Sequence, residues 1–204
     1  MRSARFRAVL SSGKALSMGS AGDGVKFSTT PPEKLSDGVI RLDGFQIADA
    51  EAHWLGEDDE MRLRFEAPRR ATLAETQAAM LRWIEAWTTG GPMFAYAVRR
   101  HDGLLVGGCE LRCLAADRAN VSYWIFPRFR GEGYAARALI LLVQTACAIR
   151  GLQSLEAHID VDNIASRNTA SRAGFVAMGT VVDVSEKGAP VERLLYICST
   201  SGSV

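Results

Sequence analysis

Arg130-Gly131-Glu132-Gly133-Tyr134-Ala135 stands between a strand-like apolar run, Val121-Ser122-Tyr123-Trp124-Ile125, and a helix-like run from Ala136 to Ile149. This junction constrains the fold more than any other stretch. A glycine-rich turn from strand to helix presents several backbone N–H groups in one direction, and the helix N-terminus adds partial positive charge at the same place. Glycine and alanine at 131, 133 and 135 keep side chains out of the way. A pyrophosphate could therefore approach the main chain.

Three phosphate motifs are candidates. A P-loop needs Gly-Lys-Ser/Thr after the turn, which is missing. Gly131-x-Gly133-x-x-Ala136, with Glu156 about 20 residues on, fits the dinucleotide fingerprint. Its surroundings read otherwise: an antiparallel hairpin precedes it, and too little chain follows for a dinucleotide domain. The third pattern is Arg130-x-x-Gly133-x-Ala135, which resembles motif A of the GNAT superfamily of N-acetyltransferases. Further on, Asn163-Ile164-Ala165-Ser166, closing at Gly174-Phe175, is similar to motif B of that family. Tyr123-Trp124-Ile125-x-Pro127 and Ser166 look most like its RimJ/RimL-like branch, and the resemblance spans roughly 38–198.

The resemblance implies a single α/β (α+β) acyl-CoA N-acyltransferase fold. Its sheet would be mixed and mostly antiparallel, splayed at the cofactor site, with helices on both faces. Residues 1–37 are expected to be a flexible extension, though their Arg- and Ser-rich, acid-poor start would also suit a targeting segment; 38–198 are expected to be the acetyltransferase domain and 199–204 a tail. The implied co-substrate is acetyl-CoA. The backbone of Gly131, Glu132, Gly133, Tyr134 and Ala135 would take its pyrophosphate, with Arg130 adding charge. The strand main chain at Trp124 and Ile125 would pair with the pantetheine arm, and an N–H near Ile125 would face the thioester oxygen. Asn163 would contact the arm, cap the following helix, or do both.

The acid–base groups are less regular. Many relatives carry a tyrosine seven residues after the motif B asparagine; here that place is Ala170. Ser166 is the substitute acid that the branch resemblance suggests, against a plain role in satisfying the helix backbone. Many relatives carry a strand glutamate where this chain has Asn120. Glu110 on the neighbouring strand is the candidate base, acting directly or through a water; a solvated strand face is its other reading. Asp58-Asp59-Glu60 lie where relatives have acceptor-binding loops, though acidic runs are more often wet surface. The acceptor is expected to be an amine, on a protein N-terminus or a small molecule such as an aminoglycoside. A non-catalytic acyl-CoA-binding module is the alternative.

Composition bounds these readings. The 204 residues, 48% hydrophobic with net charge +1, suit one globular domain. Near-neutrality argues against a nucleic-acid face. No apolar run reaches membrane-spanning length. A monomer or homodimer in the cytoplasm is the expectation. Cys109, Cys113, Cys147 and Cys198 form no C-x-x-C pair, so they read as buried free thiols. His53, His101 and His158 lack ligand spacing, and no metal is expected.

The local pattern reads as a strand over 39–42, a helix with Asp49 as its N-cap, and a helix opened by the capping box Thr72-x-x-Glu75. The expected inner face of that helix is Leu73, Met80, Leu81, Ile84 and Trp87. Gly90-Gly91-Pro92 should stop it. Strands at 94–98 and 104–111 flank an Asp102-Gly103 turn. Strand 121–125, the glycine turn, a long helix, strand 155–159, helix 164–173 and a closing pair at 176–182 and 193–198 complete the order.

Overall fold

The computed structural model describes residues 27–185 and 188–200. Eight strands form one sheet in the order β1-β2-β3-β4-β5-β6-β8-β7. They are β1 (Leu35–Ser36), β2 (Ile40–Gly44), β3 (Met93–Arg100), β4 (Leu105–Ala115), β5 (Arg118–Ile125), β6 (Ser154–Asp160), β7 (Val176–Val184) and β8 (Pro190–Ser199). Five α-helices accompany them: α1 (Ala50–Gly56), α2 (Asp59–Arg64), α3 (Leu73–Thr89), α4 (Tyr134–Cys147) and α5 (Ile164–Arg172). Every strand pair is antiparallel except β5–β6. That parallel pair needs a crossover, and α4 supplies it.

One face of the sheet packs on α4 and α5, the other on α1 to α3. Strand alternation sorts β5 accordingly. Val121 and Ile125 join the core that also holds Leu139 and Leu142 of α4. Trp124 points the other way, into a cluster with Phe45, Met80, Trp83 and Phe126. His53 sits inside that cluster, its ring 5.6–5.9 Å from those of Phe45, Trp83, Trp124 and Phe126. Gly108 lies opposite Trp124 because a Cβ there would stand 2.2 Å from the indole.

Several local readings hold. Thr72 and Glu75 form the capping box, and Gly90 ends α3 in the left-handed region at φ +78°. The Asp102-Gly103 turn joins β3 and β4, with Asp102 accepting from the Leu104 N–H at 3.1 Å.

Others are corrected. α3 buries Thr76, Ala79, Met80 and Trp83, while Leu81 is 57% exposed. The helix is turned so that the large Trp83 ring fills the aromatic cluster, a gain the shorter Leu81 cannot match. Asp49 precedes α1 as expected, yet its carboxylate accepts from the Gln46 N–H at 2.8 Å and grips Arg99 in two bonds of 2.9 and 2.7 Å. Cys147 is exposed, whereas the other three thiols are buried.

The packed chain also begins before Gly38. Phe27 lies 5.8 Å from Phe94, the Tyr96 hydroxyl donates to the Pro32 carbonyl at 2.9 Å, and β1 pairs with β2. Residues 1–26 of the expected extension lie outside the described residues. So do 201–204 of the expected tail, and β8 itself runs through Ser199.

Candidate active site

The sheet opens between β5 and β6. These strands pair only from Arg118–Ser154 to Asn120–Glu156. At the last pair the Asn120 side-chain amide donates to the Glu156 carbonyl at 3.0 Å and closes the vertex. Beyond it, Val121 to Ile125 keep β4 on one side and have no strand on the other among the described residues. Backbone groups along such an edge need partners.

A cleft of about 360 Å³ follows that edge to the glycine turn. Tyr123, Trp124 and Ile125 line it, then Arg130, Gly131, Gly133, Tyr134 and Ala135, with Asn163 and Ser166 on the α5 side. Gly131 and Gly133 have φ of +85° and +79°, and a Cβ on either would meet no heavy atom within 4 Å. Their lack of side chains leaves the mouth of the cleft open before the N-terminus of α4. Glu132 is exposed and does not line the cleft.

Arg130 has partners that the sequence did not suggest. Its guanidinium binds Asp58 in two bonds of 2.8 and 3.0 Å and Glu60 at 2.7 Å, and its Nε donates to the Ile125 carbonyl at 3.1 Å. The acidic run and the basic residue of the turn thus hold each other. This pairing ties α2 across the cleft, where Met61 and Phe65 form part of the wall.

A second cleft, about 150 Å³, lies on the far side of the splay. Glu110, Arg112, Asn120 and Ser122 line it from β4 and β5. Glu110 is 5% exposed and accepts from the Ser122 hydroxyl at 3.0 Å. Burial pushes its carboxyl above the usual range, against the opposing pull of Arg112 and Ser122. Across the cleft, His158 lies 3.0 Å from Asp183 and 3.5 Å from Glu156. Burial alone would lower the imidazole, but these carboxylates raise it to about 9.

The two clefts share Arg64, Phe65, Tyr123, Asn163 and Ser166. Asn163 caps α5 by accepting from the Ser166 N–H at 3.0 Å. The Tyr123 hydroxyl is 2.7 Å from Ser166 Oγ and 3.0 Å from the Ser166 carbonyl. Burial pushes this phenol up to about 12, so it keeps its proton near neutrality. Sequence reasoning used Tyr123 only as part of a resemblance. The alternation of β5, which aims 121, 123 and 125 toward α5, could have singled it out.

The family model described as "Acetyltransferase (GNAT) domain" matches residues 40–176. No curated protein matches the chain. Mycobacterium smegmatis RimJ, solved with CoA-disulfide, has a similar structure: TM-score 0.67 at 19% identity, covering 84% of this chain and 87% of that one. RimL, a ribosomal L7/L12 alpha-N-protein acetyltransferase solved with coenzyme A, gives 0.68 at 18%, covering 82% and 96%. The microcin C7 self-immunity acetyltransferase MccE, solved with acetyl-CoA and AMP, gives 0.69 at 17%, covering 83% and 98%. At these identities the structures speak for the fold, and the family match runs from β2 through the glycine turn and α5 to the start of β7: the chain belongs to the GNAT acetyltransferase family.

Proposed function

We propose that this protein is an N-acetyltransferase that moves the acetyl group of acetyl-CoA to a primary amine by direct attack on the thioester. The observation that carries the reading is the meeting of two clefts at Tyr123 and Ser166. One has the open glycine turn and an unpaired strand edge suited to a pyrophosphate and an amide-bearing arm. The other has a buried carboxyl. RimJ, RimL and MccE, all solved with coenzyme A or its derivatives, support the choice of co-substrate.

The backbone N–H groups from Gly131 to Ala135 hold the pyrophosphate, helped by the dipole of α4. The edge of β5 at Trp124 and Ile125 pairs with the pantetheine arm while their side chains stay in the core, and Asn163 lies beside the arm. Acetyl-CoA supplies an activated acyl carbon and a thiolate leaving group. Glu110, directly or through one water, takes the proton that the amine loses as its nitrogen bonds to the acyl carbon. Ser166 donates a hydrogen bond to the departing sulfur as the C–S bond breaks, and CoA leaves as the thiolate, which at a solution pKa of about 8.5 needs no full proton transfer.

Tyr123 positions that serine. Its hydroxyl donates to the Ser166 carbonyl at 3.0 Å and lies 2.7 Å from Ser166 Oγ, so it fixes where that Oγ sits at the junction of the clefts. The pair stands in for the tyrosine that relatives carry at the place of Ala170.

The test is release of CoA thiol with a panel of amines, beside calorimetry of acetyl-CoA binding. Acetylated product with any amine supports the reading. Tight acetyl-CoA binding with no product across the panel would leave a non-catalytic binding module.

A further inference from the structure

The second cleft carries a charge pattern that bears on the acceptor. Most of the charges lining it are matched within the fold. Asp160 is bound by Arg64 at 3.2 Å and Arg193 at 3.0 Å, and Asp183 by His158 at 3.0 Å and Arg193 at 3.1 Å. Glu66 is bound by Arg193. Two charged residues of the lining, Glu110 and Arg112, have no ion-pair partner among the described residues. The Glu110 carboxyl has the Ser122 hydroxyl, and an Arg112 Nη has the Met93 sulfur at 2.9 Å. A thioether is a weak acceptor, and a guanidinium carries five N–H donors. Arg112 is half-buried, so water offsets this shortfall only in part.

Glu110 and Arg112 stand two residues apart on β4, hence on one face, with about 7 Å between their Cα atoms. Their strand partners on β5 are Ser122 and Asn120. The cleft therefore offers one anionic and one cationic position in a fixed order along a rigid strand. A ligand with the opposite order, ammonium then anion, satisfies both. A polyamine or an aminoglycoside brings a second cation toward Arg112 and is repelled.

Resting on the reading of this cleft as the acceptor site, we infer that the acceptor is a primary amine bearing a carboxylate within about one residue's length of its nitrogen, the nitrogen seated at Glu110 and the carboxylate at Arg112. The carboxylate belongs to a free amino acid or dipeptide, or to an acidic residue next to a peptide's N-terminus. Planar, bidentate pairing suits a guanidinium to it better than a lysine would be.

Two measurements on the full chain test this. Equilibrium binding of alanyl-alanine and of its C-terminal amide to the CoA-loaded protein needs no turnover. The free acid is expected to bind at least tenfold tighter, and Arg112→Gln to abolish that difference while binding the amide as the wild type does. Turnover is then compared for alanyl-alanine, an N-terminal Ala-Asp peptide amide and spermidine. Preference for either carboxylate-bearing amine by tenfold or more supports the inference and identifies the source. Equal binding of acid and amide together with equal turnover, or preference for spermidine, overturns it. Turnover of amines without any carboxylate preference sinks this inference alone. Carboxylate-selective binding without product sinks the catalytic reading instead. An unchanged melting temperature for Arg112→Gln excludes misfolding as the cause.

Discussion

Gly133→Ala separates the cost of a left-handed backbone from the loss of a ligand. Gly133 holds φ +79° at the start of α4 and lines the larger cleft, and the space its Cβ would enter is free within 4 Å. The fold therefore meets no clash, and its cost is the left-handed conformation, about 1–2 kcal/mol. For a domain of this size that lowers the melting temperature by about 2–4 °C per kcal/mol. Gly174→Ala is the matched control. Gly174 has φ +89°, the same free space, and lines neither cleft.

Both variants should lose similar stability in denaturant unfolding. Only Gly133→Ala should also lose acetyl-CoA affinity in calorimetry, by at least tenfold, about 1.4 kcal/mol. Its methyl would stand where the pyrophosphate needs the main chain. The bulkier Gly133→Val should lose more of both. If Gly133→Ala binds acetyl-CoA as well as Gly174→Ala does, the glycine turn is not the phosphate site, and the proposed cofactor cleft loses its anchor.

Ser166→Ala should slow kcat ten- to a hundredfold, about 1.4–2.7 kcal/mol of barrier, with acetyl-CoA affinity and melting temperature nearly unchanged, because Asn163 and not Ser166 caps α5; normal kcat ends the acid role. Tyr123→Phe keeps the ring and should cost kcat about tenfold without a matching rise in KM; a KM effect alone would make the tyrosine a binding residue. His53 is buried and held neutral, burial pushing its pKa down to about 4, so stability should fall as pH drops from 6.5 toward 4, by about 3 kcal/mol at full effect, and His53→Phe should flatten that limb in denaturant titrations. His158, raised to about 9, should stabilise fully below 6.5 and lose that contribution as pH rises through 9, a limb that His158→Gln should remove. Arg99→Met takes the ion-pair partner from buried Asp49 and leaves buried Asp43 with Arg41 alone, and should cost about 3–5 kcal/mol; adding Asp49→Asn should recover part of it.

What was legible in the sequence was local. The glycine turn, the capping box, the Asp-Gly hairpin and the Asn163 cap each rest on a few neighbouring residues whose backbone demands can be read without the rest of the chain. What was hidden depends on distant partners. Arg99 reads as an ordinary strand arginine until β2 and the turn before α1 bring Asp43 and Asp49 against it, 56 and 50 residues away. Arg130 and the acidic run at 58–60 carry separate readings until the fold closes 70–72 residues between them. α2 spans six residues, too few for a helical period to register. The face of α3 was misread because hydrophobic spacing cannot weigh a tryptophan stacked among aromatics against a leucine left in water.

Ser166 and Glu110, the candidate acid and base, could be named from the sequence, but their partners Tyr123 and Ser122 fall on the hidden side for the same reason, and the sheet shows why. Splaying β5 from β6 makes room for an extended arm, but it also removes the strand pairing that would fix the side chains of β5. Two contacts replace it. The Asn120 amide holds the vertex on Glu156, and the Tyr123 hydroxyl, 43 residues from Ser166 in sequence, ties the open end of β5 to the start of α5. An asparagine occupies the place where many relatives carry a strand glutamate, and a tyrosine on β5 reaches Ser166, which is half-buried at the start of α5. These two side chains thus brace the sheet at the two ends of its opening. A sequence pattern that looks for an acid and a base at fixed offsets sees Ala170 and Asn120 and turns to Ser166 and Glu110 as substitutes; only the fold sets Tyr123 at 2.7 Å from the one and Ser122 at 3.0 Å from the other, at the two walls of one opening.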